Sequence, residues 1–149
     1  MALAFATVTN SIAALSVSGV TIKDIDECIA EVLERDCPLI QPGPIFITNL
    51  SVERDSQGPG SSALKTATYT FNYRMFFAPA GAGRGYFDLF DGMIAKAGLF
   101  LDAIITDDAL TGTVDISPVG VLDFGIVTDP SEVAFHGCDF QLQVQEFVN

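Results

Sequence analysis

His136 is the only histidine in the chain, and Cys138 follows it by two residues. Residues two apart share a face of a strand, so an imidazole and a thiol would lie side by side, the beginning of a base and nucleophile pair. No third group stands nearby to orient the imidazole, and a packed pair is the expectation. Cys28, Cys37 and Cys138 with His136 could in principle ligate zinc, but no C-x-x-C pairing brings two thiols together. Gly81-Ala82-Gly83-Arg84-Gly85 suggests a phosphate cradle. Tyr86, however, stands where the third glycine of G-x-G-x-x-G is needed, and no Lys-Ser or Lys-Thr follows. That segment reads as a strand-to-helix connection that leaves Arg84 available to a partner's carboxylate. Asp123-Phe124-Gly125 matches a kinase fragment in letters only, since it falls in an expected strand and no His-Arg-Asp element exists. Asp24, Asp26 and Glu27, or Asp107 and Asp108, lack the glycine and spacing of a calcium loop and read as solvated acids. The expectation is a protein that is not an enzyme, with no catalytic residues, no metal and no cofactor.

The elements that position these residues come from a chain of 149 residues with 19 acidic and 7 basic side chains, a net charge of −12. Apolar residues make up 49% and charged ones 17%, against roughly 25% charged in an average soluble domain. Mean hydropathy is +0.40, which excludes disorder. No apolar run reaches the ~18 residues of a membrane helix, and the basic residues are too scattered to grip nucleic acid. A domain of this length buries only about two-thirds of its unfolded surface, so so oily a chain is expected to cover the remainder by self-association. The first basic residue is Lys23, so no signal peptide is expected, and the odd cysteine count fits reduced thiols in a cytoplasm.

Val8, Ile12 and Leu15 predict a short N-terminal helix, with Asn10 and Ser11 as possible caps and Gly19 as its stop. Val20 to Ile25 alternates as a strand, and Ile29, Val32 and Leu33 predict a short helix over Asp26 to Arg35. Pro38, Pro42, Gly43 and Pro44 make Cys37 to Pro44 an extended, rigid connector. A strand then places Phe46, Leu50 and Val52 on one face, and Asp55 to Ala63 reads as a mobile hairpin loop. Thr66 to Phe77 alternates strictly: Ala67, Tyr69, Phe71, Tyr73, Met75 and Phe77 against Thr66, Thr68, Thr70, Asn72, Arg74 and Phe76. That is a long strand with an aromatic core face.

A loop from Ala78 to Gly85 leads to a helix, Tyr86 to Ile105, with Phe87, Phe90, Ile94, Ala97, Leu101 and Ile104 facing inward and Phe100 and Ile105 at the margin. Gly92 and Gly98 are expected to admit a neighbouring backbone. Thr111-Gly112 and Pro118 break the pattern. One strand then carries Leu122, Phe124 and Ile126 on a face, and, after a turn at Asp129-Pro130-Ser131, the last alternates Cys138, Phe140, Leu142 and Val144 with Asp139, Gln141, Gln143 and Gln145. The class is α+β: a mostly antiparallel sheet of about four to five strands, covered on one face by the long helix, plus a short N-terminal helix. Thr66, Thr68, Thr70, Asn72, Gln141, Gln143 and Gln145 make the opposite face polar yet nearly uncharged, suited either to another subunit or to solvent.

The N-terminal helix, the Val20-to-Ile25 strand, the Asp36-Cys37-Pro38-Leu39-Ile40-Gln41-Pro42 connector, the long strand pair, the helix entered through Gly83-Arg84-Gly85 and the closing Phe135-to-Phe147 strand follow in an order that resembles the tail-terminator proteins of long-tailed bacteriophages. The likeness spans nearly the whole chain and rests on layout. It implies a virion protein of the tail or neck, assembled in the host cytoplasm. Copies of it form a ring, in this family a hexamer, that caps the tail-tube protein, stops its polymerisation and meets the head-tail connector protein. DNA passes only as cargo, repelled by an acidic channel, and no membrane is involved. On this reading Thr68, Thr70, Asn72, Arg74, Arg84, Gln141, Gln143 and Gln145 lie at the subunit interface. The Asp55, Ser56, Gln57, Gly58, Pro59, Gly60, Ser61 and Ser62 loop touches the tail. The alternatives are another virion subunit, of the tube or of head completion, and a small-ligand-binding α+β domain.

Overall fold

The computed structural model describes residues 3–54, 65–81, 86–106, 114–118 and 123–148. Its elements are α1 (Phe5–Ala13), β1 (Thr21–Ile22), β2 (Leu39–Arg54), β3 (Lys65–Pro79), α2 (Tyr86–Thr106), β4 (Val114–Pro118), β5 (Asp123–Thr128) and β6 (Ala134–Val148). The fold is α+β, with two helices and one mixed sheet of six strands where four or five were expected. Its order is β1-β2-β3-β6-β4, with β5 also paired to β6. β1 runs parallel to β2, and every other pair is antiparallel. The short β4, which the sequence pattern did not announce, holds the end of β6 that β5 leaves open. No helix among the described residues is long and apolar enough to cross a membrane.

The alternation in β3 sets the core. Ala67, Tyr69, Phe71, Tyr73 and Met75 are at most 1% exposed, and Cys138, Phe140, Leu142 and Val144 of β6 are fully buried beside them. Val8 and Ile12 of α1 and Met93, Ala97, Phe100 and Ile104 of α2 belong to the same cluster. Phe100 meets Phe140 edge-on at 4.9 Å between ring centres, and Phe46 stacks on Phe71 at 4.6 Å. Each such ring taken out of water contributes about 2 to 3 kcal/mol.

The stripe on α2 is therefore turned from its expected position. Phe100 sits at its centre, Phe90 and Leu101 are partly buried, and Ile94 and Ile105 are 43% and 64% exposed. Gly92 lies against a side chain, the Phe77 ring, and not a backbone, while Gly98 faces open space. Leu122 and the side chain of Phe87 lie outside the described residues. In β5, Phe124 packs on the core but Ile126 is 58% exposed.

Asn10 and Ser11 lie inside α1, and neither caps it, because the helix starts earlier, at Phe5. Its first amide is satisfied from a distance: Ala4 N–H donates to both carboxylate oxygens of Glu146, at 3.0 and 3.2 Å. Tyr69 Oη donates to the same carboxylate at 2.6 Å. Glu146 continues the inward phase of β6 and is 2% exposed, so burial and this carboxylate hold the Tyr69 phenol protonated well above its usual range. Glu146→Ala is expected to strand the phenol and the helix amide together and to lower stability by about 3 kcal/mol in urea unfolding. An unchanged midpoint would show that α1 is anchored by its apolar side chains alone. The helix ends at Ala13, ahead of Gly19, whose φ of +73° belongs to the turn between bridged Val17 and Val20.

The expected strand from Val20 shrinks to two residues, and the expected helix over Asp26 to Arg35 gives way to two 3-10 turns, Ile25–Glu27 and Glu34–Asp36. Side chains take the backbone groups that a helix would need. Gln41 accepts from Ile29 N–H at 2.8 Å and donates to Ile29 C=O at 3.0 Å, and Asp129 accepts from Val32 N–H at 3.0 Å. Val32 is thereby set into a second cluster with Leu39, Phe76, Val127 and Phe135, on the opposite face of the sheet from the main core. This explains Phe76 in an otherwise polar row.

The connector is extended as expected but is itself strand: β2 begins at Leu39 and absorbs Pro42, Gly43 and Pro44 through a register shift. A second shift between Thr48 and Ser51, with Asn49 at φ +56°, breaks the phase. Val52 pairs with the buried Ala67 on the core side of the sheet, yet Leu50 and Val52 are 51% and 42% exposed on this half of β2.

Asp129 closes the β5–β6 turn as expected and does more. Its Oδ1 accepts from Ser131 Oγ at 2.7 Å and from the Val133 and Ser131 amides. Burial pushes its carboxyl up, but these bonds and that from Val32 outweigh burial and hold it below the ordinary 3.8. A lowered folded-state pKa stabilises fully above the ordinary value, and that contribution is lost as pH falls through the folded value. Asp129→Ala is expected to cost about 2 kcal/mol at neutral pH. The gap from wild type should narrow below pH 3.8, which urea titrations at both pH values would measure.

Candidate interaction face of the sheet

The register places the outward side chains in rows across three long strands. Ser51, Thr68 and Gln145 form one row, Thr48, Thr70 and Gln143 the next, Asn72 and Gln141 a third, and Gln41, Arg74 and Asp139 the fourth. Thr68, Thr70, Asn72, Arg74, Gln141, Gln143 and Gln145 thus share one face, as their period in the sequence requires. Their availability differs. Gln141, Gln143 and Gln145 are exposed, Thr68 and Asn72 half-buried, and Thr70 buried. Asn72 Nδ2 donates to Thr48 Oγ1 at 3.1 Å, which ties β3 to β2 across the register shift.

Arg74 ends the uncharged zone. Its Nε and one terminal nitrogen form a two-pronged pair with Asp139, at 2.7 and 3.1 Å, and the other terminal nitrogen donates to Thr128 C=O at 3.1 Å. Asp123 stands opposite Asp139 in the register. The Arg74–Asp139 pair is partly exposed and worth at most about 1 kcal/mol to stability, but it fixes where charge begins.

Thr48 and Ser51 belong to the face although sequence reading missed them, because the bulge at Asn49 resets the phase of β2. Asp115, on the unexpected β4, borders it beside Thr68, Gln143 and Gln145. Arg84 and the Asp55 to Ala63 loop, Ser62 included, lie outside the described residues.

Elsewhere, a groove of about 440 Å³ runs between the 3-10 segment and β2, walled by Ile25, Pro42, Pro44, Phe46, Phe76 and Pro130. Its polar neighbours Gln41, Asp129 and Arg74 are all bonded within the chain, so they do not converge on its space. His136 and Cys138 share the core-facing side of β6, and both are buried. Burial, then Asp139, raises the Cys138 thiol to about 12. Burial, then Asp36 and Glu34, raises Cys37 to about 11, and burial followed by Asp24 and Asp26 raises Cys28. Thiols raised this way are poor nucleophiles at neutral pH. Among the described residues no three His, Cys, Asp or Glu side chains gather as a metal site.

No family model and no curated protein matches the chain. The functional reading therefore rests on the surface itself. It presents hydroxyls and amides, with Asp115 opposite Gln145 and the Arg74–Asp139 pair as the charges at its borders.

Proposed function

We propose that this chain is a structural subunit of a virion, resembling a phage tail terminator, whose copies close into a ring through the uncharged sheet face. The observation that carries the reading is that face: on a chain of charge −12, β2, β3 and β6 contribute no charged residue to the rows from Ser51, Thr68 and Gln145 to Asn72 and Gln141, and Asp115 of β4, opposite Gln145, is the one acid in them among the described residues. Solvated sheet faces ordinarily carry Lys and Glu. On this reading α2 covers the aromatic side of the sheet, and the Thr and Gln rows are left for a neighbour.

In this role the ring sits on the last layer of tail-tube protein and ends its growth, and the opposite side meets the head-tail connector. The acidic charge keeps passing DNA from adhering. The bonded polar groups around the 440 Å³ groove favour this reading over a ligand-binding domain. The test is electron microscopy of the purified protein, alone and added to polymerising tail-tube protein. Closed rings and tubes capped at their ends are expected. Growth of this chain into tubes would make it a tube subunit instead, and single copies in both conditions would overturn the ring.

A further inference from the structure

The groove beside β2 is apolar where it is open. Gln41, Arg74 and Asp129 are bonded within the chain, which leaves Ile25, Pro42, Pro44, Phe46, Phe76 and Pro130 to meet whatever enters. Past Gly43, Pro44 and Arg74, which line both, it continues into a second hollow of about 290 Å³ that contains Ile45 and Asp123. Phe76 lines the first and Asn72 the second, four positions apart on β3, so together they form a trough roughly 14 Å long. Ile25 is 46% exposed and Ile45 68%. The rim is acidic. From Lys23 to Asp36 the chain carries six acids against two bases, and Asp26 and Glu27 follow Ile25 in an exposed 3-10 turn. Burial, then Asp24 and Asp26, raises the thiol of Cys28, which lines the groove, so the field of these acids reaches its wall. At the far end Asp123 is exposed and in no ion pair among the described residues. Arg74, the cation of both linings, is already held by Asp139 and Thr128.

We propose that this trough receives a basic segment of a different protein, an extended stretch that seats bulky apolar side chains against Ile25, Pro44 and Phe76 and lays flanking Lys or Arg side chains against Asp26, Glu27 and Asp123. The proposal goes beyond the ring reading and does not need it. Shape selects an extended chain, because an open trough several residues long suits a peptide, whereas a compact ligand is held by a deep pocket with convergent polar groups. Pro42, Pro44 and Pro130 hold the walls rigid, so little freedom is lost when the trough fills. Charge selects the sign. Acids flank the apolar walls at both ends, and a chain of −12 draws in a basic segment while repelling an acidic one. An apolar hollow rimmed by charge is the usual mark of a protein contact. The trough stops at Asn72 and Gln141, which leaves Thr68, Thr70, Gln143 and Gln145 clear of it.

The test is fluorescence anisotropy of labelled peptides titrated with the full chain at about 0.15 M salt. Three eight-residue peptides share a Ser and Gly background: one carries two Leu and two Lys, one has Glu in place of Lys, and one has Ser in place of Leu. The Leu and Lys peptide is expected to bind at least about tenfold more tightly than either of the others. Ile25→Ser and Asp26→Lys should each weaken it about fivefold or more with an unchanged melt, since both side chains are exposed. Asp102→Lys makes the same charge change on the exposed side of α2 and should alter binding by less than about twofold. If the Ser and Lys peptide binds as well as the Leu and Lys peptide, or Asp102→Lys weakens binding as much as Asp26→Lys, the attraction is diffuse charge and the trough is not a site. No binding by the Leu and Lys peptide overturns the proposal as well. Whether rings form is read separately, by particle mass, so the two readings stand or fall apart.

Discussion

Gly137→Ala is expected to remove about 4 kcal/mol or more of folding stability, a loss seen only when a packed structure has nowhere to yield. Gly137 lies in β6 between Phe76 of β3 and Gly125 of β5. Just beyond that point β3 slips by a residue, between Phe76 and Ala78. A methyl group on Gly137 would run into the carbonyl oxygen of Met75 and come within 2.9 Å of Val127 Cγ2. Met75 is fixed in the main core and Val127 in the second cluster, so neither can give way cheaply. The requirement is one of space, since positive φ among the described glycines is confined to Gly19 and Gly81. Gly125, directly across the pair, has nothing within 4 Å of such a methyl group, and Gly125→Ala should change stability by no more than about 0.5 kcal/mol. Urea unfolding of the two variants measures the contrast. A Gly137→Ala protein as stable as wild type would mean that β3 and β6 slide apart freely.

What the sequence reveals of this fold follows from where regular periods survive. β3 and β6 keep strict alternation over their central stretches, and the residues so marked are the buried ones, from Ala67 to Met75 and from Cys138 to Val144. β2 does not. Its two register shifts interrupt the period, the apolar Leu50 is left 51% exposed, and no local residue type marks a bulge other than Asn49, which is at ease at positive φ. The segment from Asp26 to Arg35 has helical spacing but no helix, because Gln41 and Asp129 hold its backbone. Those two partners are distant in sequence, and no window over the segment contains both.

The face was legible for the same reason as the core: it is the other half of the alternation in β3 and β6. Its borders were not. Asp139 and Arg74 pair across strands 65 residues apart, and Asp115 arrives on a strand whose five residues alternate too briefly to be recognised. Glu146 was invisible as a core residue because a buried carboxylate is unusual and its partners, Tyr69 and Ala4, come from β3 and the start of α1.

The account turns on whether Gln141, Gln143 and Gln145 meet another subunit, and Gln143→Lys decides it. Gln143 is exposed in the single chain and paired in register with Thr70 at the middle of the uncharged rows. Solvated, a lysine there would change stability by at most about 0.5 kcal/mol. Between subunits it would place a charge, with only Asp115 of β4 beside it, in a contact stripped of water, costing several kcal/mol of assembly energy while leaving Tyr69, Phe71 and Phe140 undisturbed in the core. The measurement is particle mass by light scattering alongside thermal melting of the same samples. The account predicts single copies that melt as the wild-type subunit does; Gln143→Lys rings of normal mass would contradict it.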